Sequence, residues 1–266
     1  MLDLNVIQEI FKNSYTEINK NHNEAIDVFR HYKEKMGKCP NILVHFDTHS
    51  DVYLNSDVYF CNIANWVNFA VVEFEIKEIY WVIPNYILNN EKYKKIYEQE
   101  KILAVNNCMH GFDNKSCDLN SINKEEFLVN KTTKDFVSPK KITHIEEKCQ
   151  NFRLQSIFDL NLGLRNLTVY ILTANNISVL NDKEFLLSVD ADYFCNSGFD
   201  TIENIKNSDI SKEELNEEFK IFLKHLKEAQ IRPVCTSLTL SAMYLPHKFS
   251  QEMIEFFSKI KEASLN

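Results

Sequence analysis

The sequence predicts an α/β fold with three layers, in which helices cover both faces of a mainly parallel β-sheet. Helix-like and strand-like segments alternate along the first third of the chain, and two acidic motifs each follow an apolar strand. At 266 residues the chain can bury a full core, and its four glycines and five prolines leave few stretches that resemble linkers. We therefore expect one domain over residues 1–266.

The elements of this fold follow from the spacing of apolar residues. Residues 24–36 predict a helix that ends at Gly37 and Pro40, with an apolar stripe of Ala25, Val28, Phe29, Tyr32 and Met36. Further helices are predicted at 63–74, 212–229 and 251–263, and buried strands at 41–47, 79–84, 169–172, 185–189 and 233–240. The polar stretch at about 106–150, with a strand-like piece at 126–129, is either a hairpin or lid outside the sheet or a surface insertion without function.

Composition excludes several classes of partner. The formal net charge of −8 argues against nucleic acid and anionic membranes, because both require basic patches. No apolar run approaches the roughly 20 residues that cross a bilayer. The seven cysteines form no CxxC pair and the first residues do not resemble a signal peptide, so we expect a cytoplasmic protein with reduced thiols. The sequence does not indicate an oligomeric state.

A first group of candidate metal ligands lies where the predicted strand 41–47 ends. In the segment VHFDTHSD, every second residue is a histidine or an aspartate: His45, Asp47, His49 and Asp51. Alternate side chains of an extended chain point to the same side, so the four can converge. Imidazole and carboxylate groups bind divalent ions such as Zn²⁺ or Mn²⁺. Each residue alone could be an ordinary surface residue, but the pattern indicates a metal site.

A second group follows the apolar strand predicted at 185–189. Asp190 and Asp192 come directly after it, and two carboxylates there repel each other and lose hydration unless a cation neutralises them. An Asp-x-Asp pair alone also fits a simple turn. Together with the first motif, it predicts a shared metal site at the carboxyl edge of the parallel sheet.

These two motifs resemble those of a known enzyme superfamily. The segment DTHSD is similar to the DxHxD signature of the arginases and agmatinases (the ureohydrolases), and SVDADYF is similar to their second Asp-x-Asp motif. In that family a further histidine opens a helix upstream of the first motif. His22 stands at this place, although without the resemblance it fits a plain residue at a helix start.

This resemblance implies an arginase-like fold with two metal ions. One ion would be held by His22, Asp47, Asp51 and Asp190, and the other by Asp47, His49, Asp190 and Asp192. Asp47 and Asp190 would then be shared by both ions and act in catalysis, where two dications lower the pKa of a water molecule. We expect two Mn²⁺ ions because the implied ligand set is rich in carboxylates, although other divalent metals also fit.

A closer resemblance is to the UPF0489 branch of this superfamily, which includes the peptide arginases. It rests on the extra histidine of the first motif, His45, and on the segment CNIANWVNFAVVEFEIKEIYWVIP, which is similar to that branch's Asn-rich helix and aromatic strand. We interpret His45 as a core or supporting residue rather than a metal ligand. The resemblance is good over residues 20–85 and 185–195 and loose elsewhere. It implies a hydrolase that converts arginine residues of a peptide substrate to ornithine and urea.

The chain departs from the arginases that act on free arginine in three ways. No histidine follows Asp51 closely, which leaves the general acid open; His110 is a candidate, and a plain loop histidine is the alternative. No Asn–Ser set holds free α-amino and α-carboxyl groups, which fits an arginine within a peptide. Asn62 and Asn65 could line the substrate pocket, although Asn62 could equally cap a helix. The glutamate that anchors the guanidinium has no equivalent in residues 232–246.

Two other functions stay open on sequence grounds. Deacetylases of a related fold hold one Zn²⁺ with an Asp-x-His pair and a distant aspartate, which Asp47, His49 and Asp190 could supply. A one-metal site has no need of the extra candidates His22, Asp51 and Asp192, which argues against that function. The second alternative is a metal-stabilised binding protein without catalysis, which the missing guanidinium anchor favours.

Overall fold

Seven strands form a single sheet in a computed structural model of the protein, which describes residues 2–49, 51, 61, 63, 66–84, 140–144, 167–195, 210–241 and 244–265. The strands are β1 (Tyr15–Asn19), β2 (Ile42–Phe46), β3 (Glu78–Ile83), β4 (Lys140–His144), β5 (Leu167–Thr173), β6 (Leu186–Asp190) and β7 (Cys235–Thr239). Their order across the sheet is β1-β7-β6-β2-β3-β5-β4. All neighbours pair in parallel except β4, which runs antiparallel to β5 at one edge.

Helices cover both faces of this sheet. They are α1 (Leu4–Phe11), α2 (Ala25–Met36), α3 (Trp66–Glu73), α4 (Lys212–Glu228) and α5 (Ser250–Ser264). One core lies under α1, α4 and α5, and a second lies under α2 and α3. Strand β2 contributes to both, because Val44 and Phe46 enter the first core and Leu43 enters the second. The structure thus confirms the predicted α/β fold with three layers and a mainly parallel sheet.

The predicted elements are found with their ends moved by a few residues. The helix expected at 24–36 is α2, and it ends as predicted at Gly37, whose left-handed φ of 69° a residue without Cβ adopts easily. Ala25, Val28, Phe29 and Tyr32 of the predicted stripe are buried, whereas Met36, the last residue of the helix, is 52% exposed.

Three of the described helices and strands were not predicted. Helix α1 buries Ile7, Ile10 and Phe11, and strand β1 adds an edge to the sheet by pairing with β7. Within the polar stretch 106–150, residues Lys140–His144 form the third, β4, which pairs with β5, so this part of the stretch belongs to the sheet and does not lie outside it as expected. The strand-like piece at 126–129 lies outside the described residues.

Among the described helices, none combines the length and apolar character that crossing a bilayer requires. The described cysteines are free thiols: Cys39, Cys61, Cys195 and Cys235.

The pairing of β2 with β6 brings the two acidic motifs together. These strands are parallel neighbours in which His45 lies opposite Ser188 and Phe46 opposite Val189. The residues that follow, Asp47 on one side and Asp190 on the other, therefore leave the sheet side by side at its carboxyl edge. The prediction that both motifs lie at the same edge is confirmed.

Candidate metal centre

Seven histidine and aspartate side chains meet at the carboxyl edge of β2 and β6. They come from the end of β2 and the turn after it, from the end of β6 and the 3₁₀ turn Ala191–Tyr193 after it, and from the 3₁₀ turn His22–Glu24 that leads into α2. All four carboxylates are at most 5% exposed. The members of this cluster, hereafter the edge cluster, are His22, His45, Asp47, His49, Asp51, Asp190 and Asp192.

The first half of the edge cluster is centred on His22. Its Nδ1 atom lies 3.1 Å from Asp47 Oδ2, 3.0 Å from Asp51 Oδ2 and 2.8 Å from Asp190 Oδ2. The His45 Nε2 atom approaches the same region, 3.2 Å from Asp47 Oδ2. This half unites the residues that the resemblance assigns to the first metal ion.

The second half is centred on His49. Its Nδ1 atom lies 2.9 Å from Asp192 Oδ2 and 3.5 Å from Asp47 Oδ1. Asp47 therefore directs one carboxylate oxygen to each half. Asp190 belongs to the first half by its contact with His22 and is joined to the second through Asp192, whose backbone N–H donates to Asp190 Oδ1 over 3.1 Å.

Backbone turns hold the carboxylates in place. The His49 N–H donates to Asp47 Oδ1 over 2.7 Å, and the Thr48 N–H donates to Asp192 Oδ1 over 3.4 Å. The first of these bonds joins an aspartate to the N–H two residues later, which is typical of turns and helix starts. The second joins the two turns. Asp51 has a positive φ of 51°, a conformation that aspartate tolerates better than most residues. The turns that end the strands therefore also fix the direction of the carboxylate oxygens.

Electrostatics shows why this cluster needs positive charge. Burial alone would lower the pKa of His22 and His49, but the aspartates around them, Asp190 for His22 and Asp192 for His49, raise it well above its ordinary value. Burial and the neighbouring carboxylates raise the pKa of Asp51 and Asp192. Each of these shifts favours the protonated form of its group, so the edge cluster favours added positive charge.

The pKa of Asp47 shifts in the opposite direction. Burial would raise the pKa of this carboxyl, but His45, His22 and His49 surround it and hold its pKa well below the ordinary range. The shift favours the anionic form of Asp47, which three histidines contact, and an anionic carboxylate is the form that binds divalent cations.

The donor atoms fit divalent metal ions. In two groups the possible ligand atoms lie within 4.8 Å of one another: His22, His45 and Asp47 in one, and Asp47, His49 and Asp192 in the other. Two dications would balance four buried carboxylates, which are otherwise costly to desolvate. Imidazole and carboxylate donors suit Mn²⁺ and Zn²⁺ alike.

Three residues that the sequence analysis did not assign to the site support it. Ser188, within β6, contacts His22 Nε2 through its Oγ at 2.7 Å. The indole N–H of Trp66 donates to Asp51 Oδ2 over 2.6 Å. The hydroxyl of Ser241, just beyond β7, donates to Asp190 Oδ2. The sequence does contain a signal for Ser188, because it is the one polar residue in the apolar run 185–189.

Ser188 offers a direct test of the first half of the site. With Nε2–H donating to the Ser188 hydroxyl, the His22 Nδ1 atom is left unprotonated and able to bind a metal ion. We expect Ser188→Ala to weaken metal affinity by roughly 10- to 100-fold, as loss of such supporting bonds usually does. Isothermal titration with Mn²⁺ measures the change.

The matched control is Ser237→Ala. Ser237 lies opposite Ser188 on the adjacent strand β7 and is equally buried, but its Oγ accepts from Asn19 Nδ2 rather than contacting a histidine. We expect this variant to bind Mn²⁺ like the native protein. Equal losses in both variants would show that packing, and not the orientation of His22, explains the effect.

The remaining predicted site residues cannot be placed. His110, Asn62 and Asn65 lie outside the described residues, so their predicted roles stay predictions. The structure does add an aromatic residue to the second half, since the ring of Tyr244 lies 5.3 Å from that of His49 between centroids.

Comparison with known proteins gives only distant similarities. No family model matches the sequence, and no curated protein matches it. Among solved structures, similar folds include a presumed agmatinase from Clostridium difficile (12% identity, TM-score 0.39) and the proclavaminate amidino hydrolase from Streptomyces clavuligerus (12% identity, TM-score 0.38). Each similarity covers 94% of this chain but only 65% of the other. Similarities this distant do not assign a reaction.

Proposed function

We propose that this protein is a dinuclear-metal hydrolase of the ureohydrolase type that removes urea from arginine side chains within a peptide, leaving ornithine. The observation that carries the proposal is the convergence of two separate motifs into two histidine–aspartate sets with Asp47 between them. The motifs are those through which the chain resembles arginases. Their meeting in the fold supports a working site rather than a chance match.

The protein's own residues have distinct tasks in this site. Asp47 would bind both cations through its two oxygens, and His22 and His49 would each bind one, with Asp51, Asp190 and Asp192 completing the sets. A bound pair of dications would supply a water of lowered pKa as the nucleophile for the guanidinium carbon. Trp66 and Ser241 hold Asp51 and Asp190 in orientation. We propose Mn²⁺, because carboxylates dominate the set.

The geometry favours two ions over one. A deacetylase-like site needs only Asp47, His49 and Asp190. The cluster also buries His22 and Asp51, and His22 Nδ1 lies within 3.1 Å of one carboxylate oxygen each of Asp47, Asp51 and Asp190. Burying these additional charged groups without a second cation would be costly. The deacetylase-like and the non-catalytic functions therefore serve as outcomes of the experiment below.

The proposed substrate is arginine within a peptide rather than free arginine. The sequence after Asp51 lacks the pattern that grips free α-amino and α-carboxyl groups. A free amino acid brings two charges into the pocket, and leaving them without partners is costly, whereas peptide bonds are neutral. The net charge of −8 adds a weak attraction for a cationic peptide.

Mass spectrometry with a urea assay tests the reaction. Incubation of Mn²⁺-loaded protein with an arginine-containing peptide should lower the peptide mass by that of CH₂N₂ and release one urea per arginine, with one water consumed. We expect free arginine and agmatine to react at least roughly 100-fold more slowly, as expected when polar partners are missing from a pocket. The same peptide with lysine in place of arginine is the control.

Each other outcome points to a different function. Faster turnover of free arginine or agmatine would contradict the peptide substrate and leave the ureohydrolase assignment intact. Acetate release from an acetyl-lysine peptide, without urea from any substrate, would indicate the deacetylase-like function. Stoichiometric metal binding without any product across varied arginine peptides would indicate a binding protein.

A further inference from the structure

His45 stands out within the edge cluster because its ring is buried without hydrogen bonds. It is 0% exposed, and neither ring nitrogen has a hydrogen-bond partner among the described residues. Leaving buried polar atoms unpaired costs about 1–3 kcal/mol each. The ring packs against both His22 and Trp66, with centroid distances of 5.0 Å and 5.4 Å, and these contacts fix its direction.

The Nε2 atom of His45 faces the first half of the edge cluster. The Nε2 atom lies 3.2 Å from Asp47 Oδ2 and 3.9 Å from Asp51 Oδ2, two oxygens that also face His22 Nδ1. At 3.2 Å the contact with Asp47 does not have the geometry of a hydrogen bond. A ring nitrogen close to two carboxylate oxygens, yet not bonded to them, is arranged as ligands are around an ion.

The spacings agree with coordination of a single ion. For bonds of about 2.1 Å, adjacent ligand atoms of an octahedral ion are roughly 3.0 Å apart and opposite ones roughly 4.2 Å apart. The distances from His22 Nδ1 to its three oxygens are 2.8, 3.0 and 3.1 Å, and those from His45 Nε2 are 3.2 and 3.9 Å. Four of these five distances lie between the two limits, and 2.8 Å lies just below the shorter one. The donor atoms of His22, His45 and Asp47 all lie within 4.8 Å of one another, so one ion can contact these three.

We propose that His45 is itself a metal ligand, through Nε2, and gives the first half of the site a second imidazole. This inference rests on the proposed metal centre and departs from the sequence-based interpretation of His45 as a core or supporting residue. The two halves then differ, with two histidines in the first and one in the second. Because imidazole favours ions such as Co²⁺ and Zn²⁺ over Mn²⁺, the first half should bind these ions more tightly than the second.

Proton NMR of the Co²⁺-loaded protein counts the bound imidazoles. The unpaired electrons of Co²⁺ shift the N–H proton of each coordinated histidine far from the normal spectral range, and these signals vanish in D₂O. We expect three such signals from the fully loaded native protein, for His22, His45 and His49. Two signals at two Co²⁺ equivalents would overturn the assignment of His45 and leave the proposed function standing.

A variant gives a second, independent measurement. His45→Phe keeps a buried ring of similar size but cannot coordinate, and we expect it to lose one of the three signals. Its affinity for the first Co²⁺ should fall by more than the roughly 10- to 100-fold typical of a lost supporting residue. Phe46→Leu is the control, since Phe46 is the next residue of β2 but faces the opposite core.

The outcomes separate the inference from the proposed function. Unchanged Co²⁺ affinity in folded His45→Phe would reject His45 as a ligand. Failure of the native protein to bind Co²⁺, Mn²⁺ or Zn²⁺ at all would instead reject the metal centre and the proposed function together. If His45→Phe does not fold, the signal count of the native protein alone decides.

Discussion

Asp47→Asn should abolish metal binding in both halves of the edge cluster and reduce urea release from an arginine peptide by roughly three to four orders of magnitude, the scale seen when an essential catalytic group is lost. Asp47 is the residue whose two oxygens face both histidine sets, 3.1 Å from His22 and 3.5 Å from His49. An amide keeps the size of the carboxylate but provides one neutral oxygen. Metal analysis of the purified variant and the urea assay measure the two effects.

Asp27→Asn is the matched control for this substitution. Asp27 lies on the exposed side of α2, where its side chain is 61% exposed and pairs with Arg30. Surface ion pairs of this kind contribute about 0–1 kcal/mol, so stability, metal content and activity should all stay near native values. Retention of two metal equivalents by folded Asp47→Asn would contradict the shared role of Asp47.

Metal loading should raise the melting temperature strongly, and more so at higher pH. A ligand at about a thousand times its Kd adds about 4 kcal/mol per site, which for two sites corresponds to roughly 20 °C in Tm. In the metal-free protein, the pKa values of His22 and His49 are raised well above normal by their aspartate neighbours, and protons on these rings must leave before a metal ion binds. The gain in Tm should therefore grow from about pH 6 to about pH 8.

The metal-free protein should show the opposite trend. A group whose pKa is raised on folding adds stability below its unfolded pKa, and this stability is lost as the pH rises through the folded pKa. His22, His49 and Asp192 are all of this kind, whereas the lowered pKa of Asp47 matters only in acid. The Tm of the metal-free protein should thus fall as the pH rises above about 6.5, the unfolded pKa of histidine.

Differential scanning fluorimetry with and without Mn²⁺ over this pH range tests both trends. His49→Gln should reduce the pH slope of the metal-free protein, because one of the proton-retaining groups is gone. The control, His31→Gln, replaces an exposed histidine of α2 and should leave the slope unchanged. Parallel pH profiles for the loaded and metal-free protein would show that the edge cluster does not exchange protons for metal ions.

The sequence by itself determined the layers of the fold and the core of the site. The apolar runs at residues 41–47 and 185–189 predicted buried strands of a parallel sheet, and β2 and β6 formed there. The alternating residues of VHFDTHSD indicated convergence because side-chain direction in an extended chain is a local property. Asp190 and Asp192 were predicted at a strand end because they directly follow the apolar run 185–189.

Weakly apolar edge elements were harder to predict. Strand β1, with the sequence YTEIN, has little apolar alternation and becomes a strand by pairing with β7. Helix α1 is only eight residues long, although Asp3 caps it and Ile7, Ile10 and Phe11 are spaced as in a helix. Elements of this size depend on tertiary contacts for their stability, so the local sequence gives a weak signal.

Only the tertiary structure decided which residues support the metal ligands. Ser188 meets His22 across 166 positions of the sequence, and Ser241 meets Asp190 across 51, so no local pattern could pair them. From the sequence His45 is interpreted as a core or supporting residue, and nothing in the local sequence indicates a polar contact for Trp66. Their polar atoms acquire a role only from the register of β2 with β6 and the packing of α2 and α3, which direct an indole N–H and an imidazole toward buried carboxylates.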